Sequence, residues 1–153
     1  MIHDFLLVSS EELKNNGYDY FYNSNNNKVL IHDDLISYIY DSLLWIPVYN
    51  AARNHEILDF AKGFNRWGVS IYKIDGALKF SKVFRSWSDL FAEAPEKVVI
   101  TGSWCYAENK EDGHYEKLEF SRDLLVEKFS MLANLGERVT ESEGQLSILH
   151  FGI

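Results

Sequence analysis

Apolar positions along the chain change their period several times, and each change predicts an element. Phe5 to Val8 reads as a short strand and Glu11 to Lys14 as a helical turn. Tyr18 to Tyr22 and Lys28 to Ile31 flank the polar run Asn23-Ser24-Asn25-Asn26-Asn27, a pattern expected of a hairpin. The spacing then turns helical. Ile36, Ile39, Tyr40 and Leu43 form one stripe of a helix near Asp34–Leu44, with Asp33 and Asp34 offering N-cap oxygens and Pro47 closing it. A second helix fits Arg53 to Trp67, where Ile57, Phe60, Ala61, Phe64 and Trp67 share a face and Gly68 can cap the end.

Val69 to Ile74 and Ala77 to Phe84 flank Asp75-Gly76, a dipeptide suited to a two-residue hairpin turn. Ser86-Trp87-Ser88-Asp89 has capping-box spacing, opening a short helix that Pro95 closes. Lys97 to Tyr106 and His114 to Phe120 surround a polar loop ending in Asp112-Gly113, which predicts another hairpin. Ser121 can cap a helix from Arg122 to Leu135, with Leu125, Phe129 and Leu132 inward and Gly136 as terminator, and Leu146 to Phe151 closes as a strand. Hairpins outnumber βαβ units in this reading. The expected class is α+β, a mainly antiparallel sheet with helices packed on one face. No composition shift marks a boundary, so residues 1–153 are read as a single globular domain.

Composition agrees with a folded chain: 46% of the 153 residues are hydrophobic and 15% aromatic, enough to build a core. No run approaches the roughly 20 apolar residues of a membrane helix, so no membrane association is expected. One cysteine, Cys105, forms no internal disulfide, which suits a reducing compartment and gives a cytoplasmic expectation. Charge adds a direction. Residues 1–50 carry 2 basic and 7 acidic side chains, 51–100 carry 8 and 6, and 101–153 carry 5 and 10. A formal charge of −8 repels phosphate backbones, so no nucleic-acid partner is expected and a basic protein is.

The chain carries no recognisable catalytic or metal-binding motif. His3, His32, His55, His114 and His150 lack the i, i+4 spacing of a helical metal site, and no cofactor or metal is expected. Cys105 lies in a strand rather than at a helix N-terminus and reads as a buried structural thiol. Thr101-Gly102-Ser103-Trp104 lacks the second glycine of a nucleophile elbow, and no phosphate-binding loop occurs. Lys79-Phe80-Ser81-Lys82-Val83-Phe84-Arg85 interleaves basic and aromatic residues, and alternation reads it as a solvated strand. No catalytic residue is assigned.

What remains is an acidic, aromatic third segment. Glu108, Glu111, Asp112, Glu116 and Glu119 gather around the hairpin, with Trp104 and Tyr106 on its first strand. Aromatic anchors supply desolvated contact and charges supply selective encounter, so these seven residues form the candidate partner-binding surface. Asp33, Asp34, Tyr38 and Asp41 form the next patch. A small acidic α+β chain, rich in Trp and Tyr and without a catalytic signature, resembles the immunity proteins of bacterial polymorphic toxin systems, including contact-dependent growth inhibition. The similarity is one of type over the whole chain. It implies a non-enzymatic protein that binds a cognate toxin, a basic nuclease, and blocks its active site. The alternatives are a ligand-binding or hydrolytic domain with a pocket lined by Trp45, Trp67, Trp87 or Trp104 and an Asp or Glu base, and an adaptor for an unrelated protein.

Overall fold

The computed structural model describes residues 1–22, 28–51, 57–106 and 112–153. In chain order the elements are β1 (Ile2–Ser9), α1 (Ser10–Asn16), α2 (Asp19–Tyr22), β2 (Val29–His32), α3 (Asp33–Leu43), β3 (Pro47–Ala51), β4 (Ile57–Lys62), β5 (Val69–Tyr72), α4 (Ile74–Ala92), β6 (Lys97–Tyr106), β7 (Gly113–Ser121), α5 (Arg122–Glu141) and β8 (Leu146–Phe151). Six strands form one sheet in the order β2-β1-β8-β5-β3-β4, and β6 and β7 form a separate two-stranded ribbon. Every pairing among the described residues is antiparallel. The class is α+β, as the hairpin-rich pattern predicts.

Both faces of the central strands are buried, because alternate side chains enter two different cores. Phe5, Tyr72 and Ile148 meet α3, α4 and α5, where Ile36, Phe80, Phe84 and Phe129 fill the larger core. Leu6, Val8, Ile71 and Leu149 point the other way, against Tyr18 and Phe21 at α2 and Leu13 of α1. The long helices thus share one face, and two short ones cover part of the other.

Four sequence expectations are overturned, each for a physical reason. Asp75-Gly76 is no hairpin turn: it begins the 19-residue α4, which also absorbs the expected strand Ala77–Phe84 and the Ser86–Asp89 capping box. Phe80 and Phe84 fit both periods, but buried Ala77, Ser81, Ser88 and Phe91 follow the helical one, and Leu78 is exposed. Gly76 serves packing. A Cβ there would lie 2.1 Å from the Pro47 carbonyl oxygen, so glycine lets the first turn of α4 sit against β3.

The expected helix Arg53–Trp67 is not formed over its described part; Ile57–Lys62 is strand β4, paired with β3, and 52–56 lie outside the described residues. A cross-strand pair of rings, Tyr49 against Phe60 at 5.3 Å, stabilises that ladder. Tyr18 to Tyr22 is no hairpin limb either. Buried Tyr18 and Phe21, three apart, seal the second core through the turn of α2, while Val29–His32 pairs with β1; the run 23–27 is outside the described residues. Finally, α5 starts at its Ser121 cap as expected but passes through Gly136 to Glu141. A Cβ at Gly136 would come within 2.7 Å of the Ala77 carbonyl oxygen, so this glycine marks the close crossing of α4 and α5 rather than a helix end.

Candidate functional site

The β6–β7 ribbon has one face on the core and one in solvent. Val98 and Ile100 are buried, and Leu118 and Phe120 pack beside them. Simple alternation from Val98 and Ile100 would send Trp104 and Tyr106 inward as well. It does not. Thr101 pairs with Lys117 but the next pair is Trp104 with Tyr115, so β6 spends three residues where β7 spends two. This bulge at Gly102-Ser103 reverses the facing of all that follows. Trp104 and Tyr106 therefore join Tyr115 on the outer face, 45%, 72% and 58% exposed respectively. The Trp104 and Tyr115 rings meet edge to face at 4.9 Å, and Tyr106 stands 6.5 Å from Trp104. Opposite Tyr106 is Gly113, where a Cβ would lie 2.5 Å from the Trp104 indole, so the ring rests on bare backbone.

The acidic residues are dispersed by the same geometry. Glu119 is on the outer face but tied to Lys97 at 2.6 Å. Glu116 lies on the inner face beside Gly102, and Asp112 is exposed just before β7. Glu108 and Glu111 lie outside the described residues. Cys105 is half-buried rather than buried, and burial together with Glu116 pushes its thiol up, away from the reactive thiolate.

Part of the second patch lies beside the bulge that precedes the aromatic face. Asp34 and Tyr38 of α3, with Ser37, face Thr101, Gly102 and Ser103 across a groove of about 210 Å³. Asp41 is exposed on the same helix but does not border that groove. Tyr115, absent from the sequence reading, completes the outer aromatic face; its placement two residues before Lys117 and four before Glu119 was the available signal.

Asp33 is a correction. It is buried, not presented to a partner, and the N-cap of α3 is His32, whose Nδ1 accepts from the Asp34 amide. Arg66 grips the Asp33 carboxylate with two donors, Nε to Oδ1 at 2.9 Å and Nη2 to Oδ2 at 2.7 Å. His3 Nε2 donates to the same Oδ1 at 3.0 Å, which leaves His3 Nδ1 to accept from His150 Nε2, also at 3.0 Å. His150 Nδ1, fully buried, ends the chain without a partner among the described residues. Burial disfavours the Asp33 carboxylate, yet the Arg66 fork and the His3 N–H outweigh it and hold the group below the usual range. Burial lowers His3 against the pull of Asp33, and burial, then the neighbouring His3, hold His150 well below its ordinary value.

The sign of the pH dependence follows. Below about pH 6.5 the unfolded chain takes up protons that folded His3 and His150 refuse, so stability falls as pH drops, by up to about 1.4 kcal/mol per pH unit for each histidine. Asp33 acts lower down, its contribution being lost only as pH falls through its depressed folded value. Urea melts at pH 7, 6 and 5 should show progressive loss, and His150→Gln, which keeps a donor for His3 without the titration, should flatten the slope. An unchanged slope in that variant would refute the assignment.

Among the described residues no group of three His, Cys, Asp or Glu side chains is placed to hold a metal, and no helix is long and apolar enough to cross a membrane. The tryptophans are scattered: Trp67 borders an open cleft with Tyr22 and Phe151, Trp87 donates to Ser42 Oγ at 2.8 Å, and Trp45 and Trp104 are exposed. The fold and site thus define an α+β chain that displays an aromatic ribbon near a helix carrying the half-buried Asp34 and the exposed Asp41. No family model, curated protein or solved structure matches the chain.

Proposed function

We propose that this chain is a protein-binding inhibitor of the immunity type, which neutralises a basic toxin domain, a nuclease, through the outer face of β6–β7 and the adjoining part of α3. One observation carries the reading: the bulge at Gly102-Ser103 holds Trp104, Tyr106 and Tyr115 together in solvent, where a fold without a partner gains nothing from three clustered rings. Aromatic side chains of this kind anchor interfaces, and the neighbouring Asp34 and Asp112 favour a basic opponent. The rings exclude water at the centre of the seam while the carboxylates take positions that substrate phosphates occupy on the toxin.

The test uses the domain encoded by the adjacent reading frame. Expressed alone it should arrest growth, and this chain should restore it. In surface plasmon resonance, Trp104→Ala with Tyr115→Ala should raise the dissociation rate by at least about 30-fold, the scale of a 2 kcal/mol anchor. Reversing Asp34 and Asp112 to Lys should mainly slow association and weaken its salt dependence. A harmless neighbouring domain, or kinetics indifferent to both variants, would sink the reading.

A further inference from the structure

The sheet face opposite the long helices is only partly covered, and beside α1 it opens into a cleft of about 370 Å³. Its floor is apolar: Ala51, Ile71 and Tyr18 are all buried residues of the second core, and Leu13 forms a wall. The charged groups among the described residues are few and of one sign. Lys14 and Lys73 border the cleft, and among the described residues no carboxylate does. Neither lysine forms an ion pair within the described residues; the Lys73 ammonium sits 4.4 Å from the centre of the Tyr49 ring.

The cleft also holds an unused donor. Ser10 Oγ and Ser147 Oγ, both in the lining, are 2.9 Å apart, and Ser147 is only 2% exposed. Two hydroxyls carry two protons and their mutual bond consumes one. The second proton, on whichever hydroxyl accepts that bond, has no acceptor among the described residues and is left for a molecule in the cleft. Gly17 and Gly144, both at positive φ, border the opening without side chains, and space around Gly144 is clear to 4 Å.

We propose that this cleft binds a small amphipathic carboxylate, its chain on Ala51, Ile71 and Leu13 and its head against Lys73, Lys14 and the spare serine hydroxyl. An apolar floor with a few convergent polar groups is the usual make-up of a small-molecule site, and at ~30 Å³ for each small group the space holds about a dozen heavy atoms, the size of decanoate. Lysine is the right cation here, a mobile point charge that meets a head group at a rim. The site lies on the sheet face opposite the long helices and is independent of the toxin-binding reading.

Sodium decanoate, kept below its micellar concentration, is the probe, with decanol and acetate as comparators. Isothermal titration and amide shift mapping should give saturable binding at submillimolar concentration, with shifts at Leu13, Ile71 and Ser147. Decanol and acetate should each bind at least 10-fold more weakly. Lys73→Met should weaken decanoate at least 10-fold while leaving decanol and the melting temperature unchanged, and Ser147→Ala should weaken decanoate severalfold. No saturation by 2 mM, equal affinity for decanol, or indifference to Lys73→Met with Lys14→Met would overturn the proposal.

Discussion

Replacing Arg66 by Met should cost the fold about 3 kcal/mol in urea denaturation. The Asp33 carboxylate keeps its burial but loses the two donors that hold it ionised, and its remaining partner, His3, is itself neutral and buried. Removing one member of a buried pair typically costs about 3–5 kcal/mol, and the lower end applies because the Arg66 side chain is 30% exposed. The signature lies in the second substitution. Asp33→Asn introduced on top of Arg66→Met should recover part of the loss, since an amide needs no counter-charge and its oxygen still accepts from His3. If Arg66→Met costs less than 1 kcal/mol, or Asp33→Asn deepens the loss, the ion pair does not hold this region.

Gly76→Ala should be similarly damaging, although alanine is the better helix former by about 1 kcal/mol. The added methyl would collide with the Pro47 carbonyl at 2.1 Å, and an immovable backbone neighbour leaves only a shift of α4 off β3. Overpacking of this kind costs about 1–3 kcal/mol, and the upper end is expected. Gly76→Asn separates this role from that of a turn glycine. Asn tolerates the left-handed conformation a hairpin turn needs, so a turn would accept it, whereas a close helix contact rejects it as it rejects alanine. Lys79→Ala, on the exposed side of α4, should change stability by less than about 0.5 kcal/mol and serves as the control. Near-normal stability of both Gly76 variants would contradict the packing role.

The elements legible in the sequence are those whose signals are local and redundant. The Ser121 cap and the Leu125, Phe129, Leu132 stripe agree on α5, and the turn residues Asp112-Gly113 agree with the flanking strands of β6–β7. The failures share a cause. Phe80 and Phe84 satisfy periods of two and of four equally, and Asp75-Gly76 before them tips the reading to a turn; the helical period shows in the burial of Ala77, Ser81, Ser88 and Phe91, and Gly76 answers to the Pro47 carbonyl, almost thirty residues upstream. The candidate site divides the same way. Trp104 and Tyr106 stand out in the sequence as candidate aromatic contacts, but a one-residue bulge decides which way they face, and no residue pattern announces it. Asp33 looked like a surface acid because its partners, His3 and Arg66, are about thirty residues away on either side. His150 joins that chain from 147 residues beyond His3, a distance across which no local pattern reports.

The placement of β8 between β1 and β5 carries a consequence for biosynthesis. Until Leu146–Phe151 has left the ribosome, the emerging chain holds two fragments of a sheet, β2-β1 and β5-β3-β4, each with a bare hydrogen-bonding edge and no ladder between them. The last made of these six strands is the one that joins them, and it brings His150 to His3 as it docks. Such long-range closure slows folding and leaves nascent chains open to strand exchange with their neighbours, so holdase chaperones should raise the soluble yield more than a slower rate of translation does.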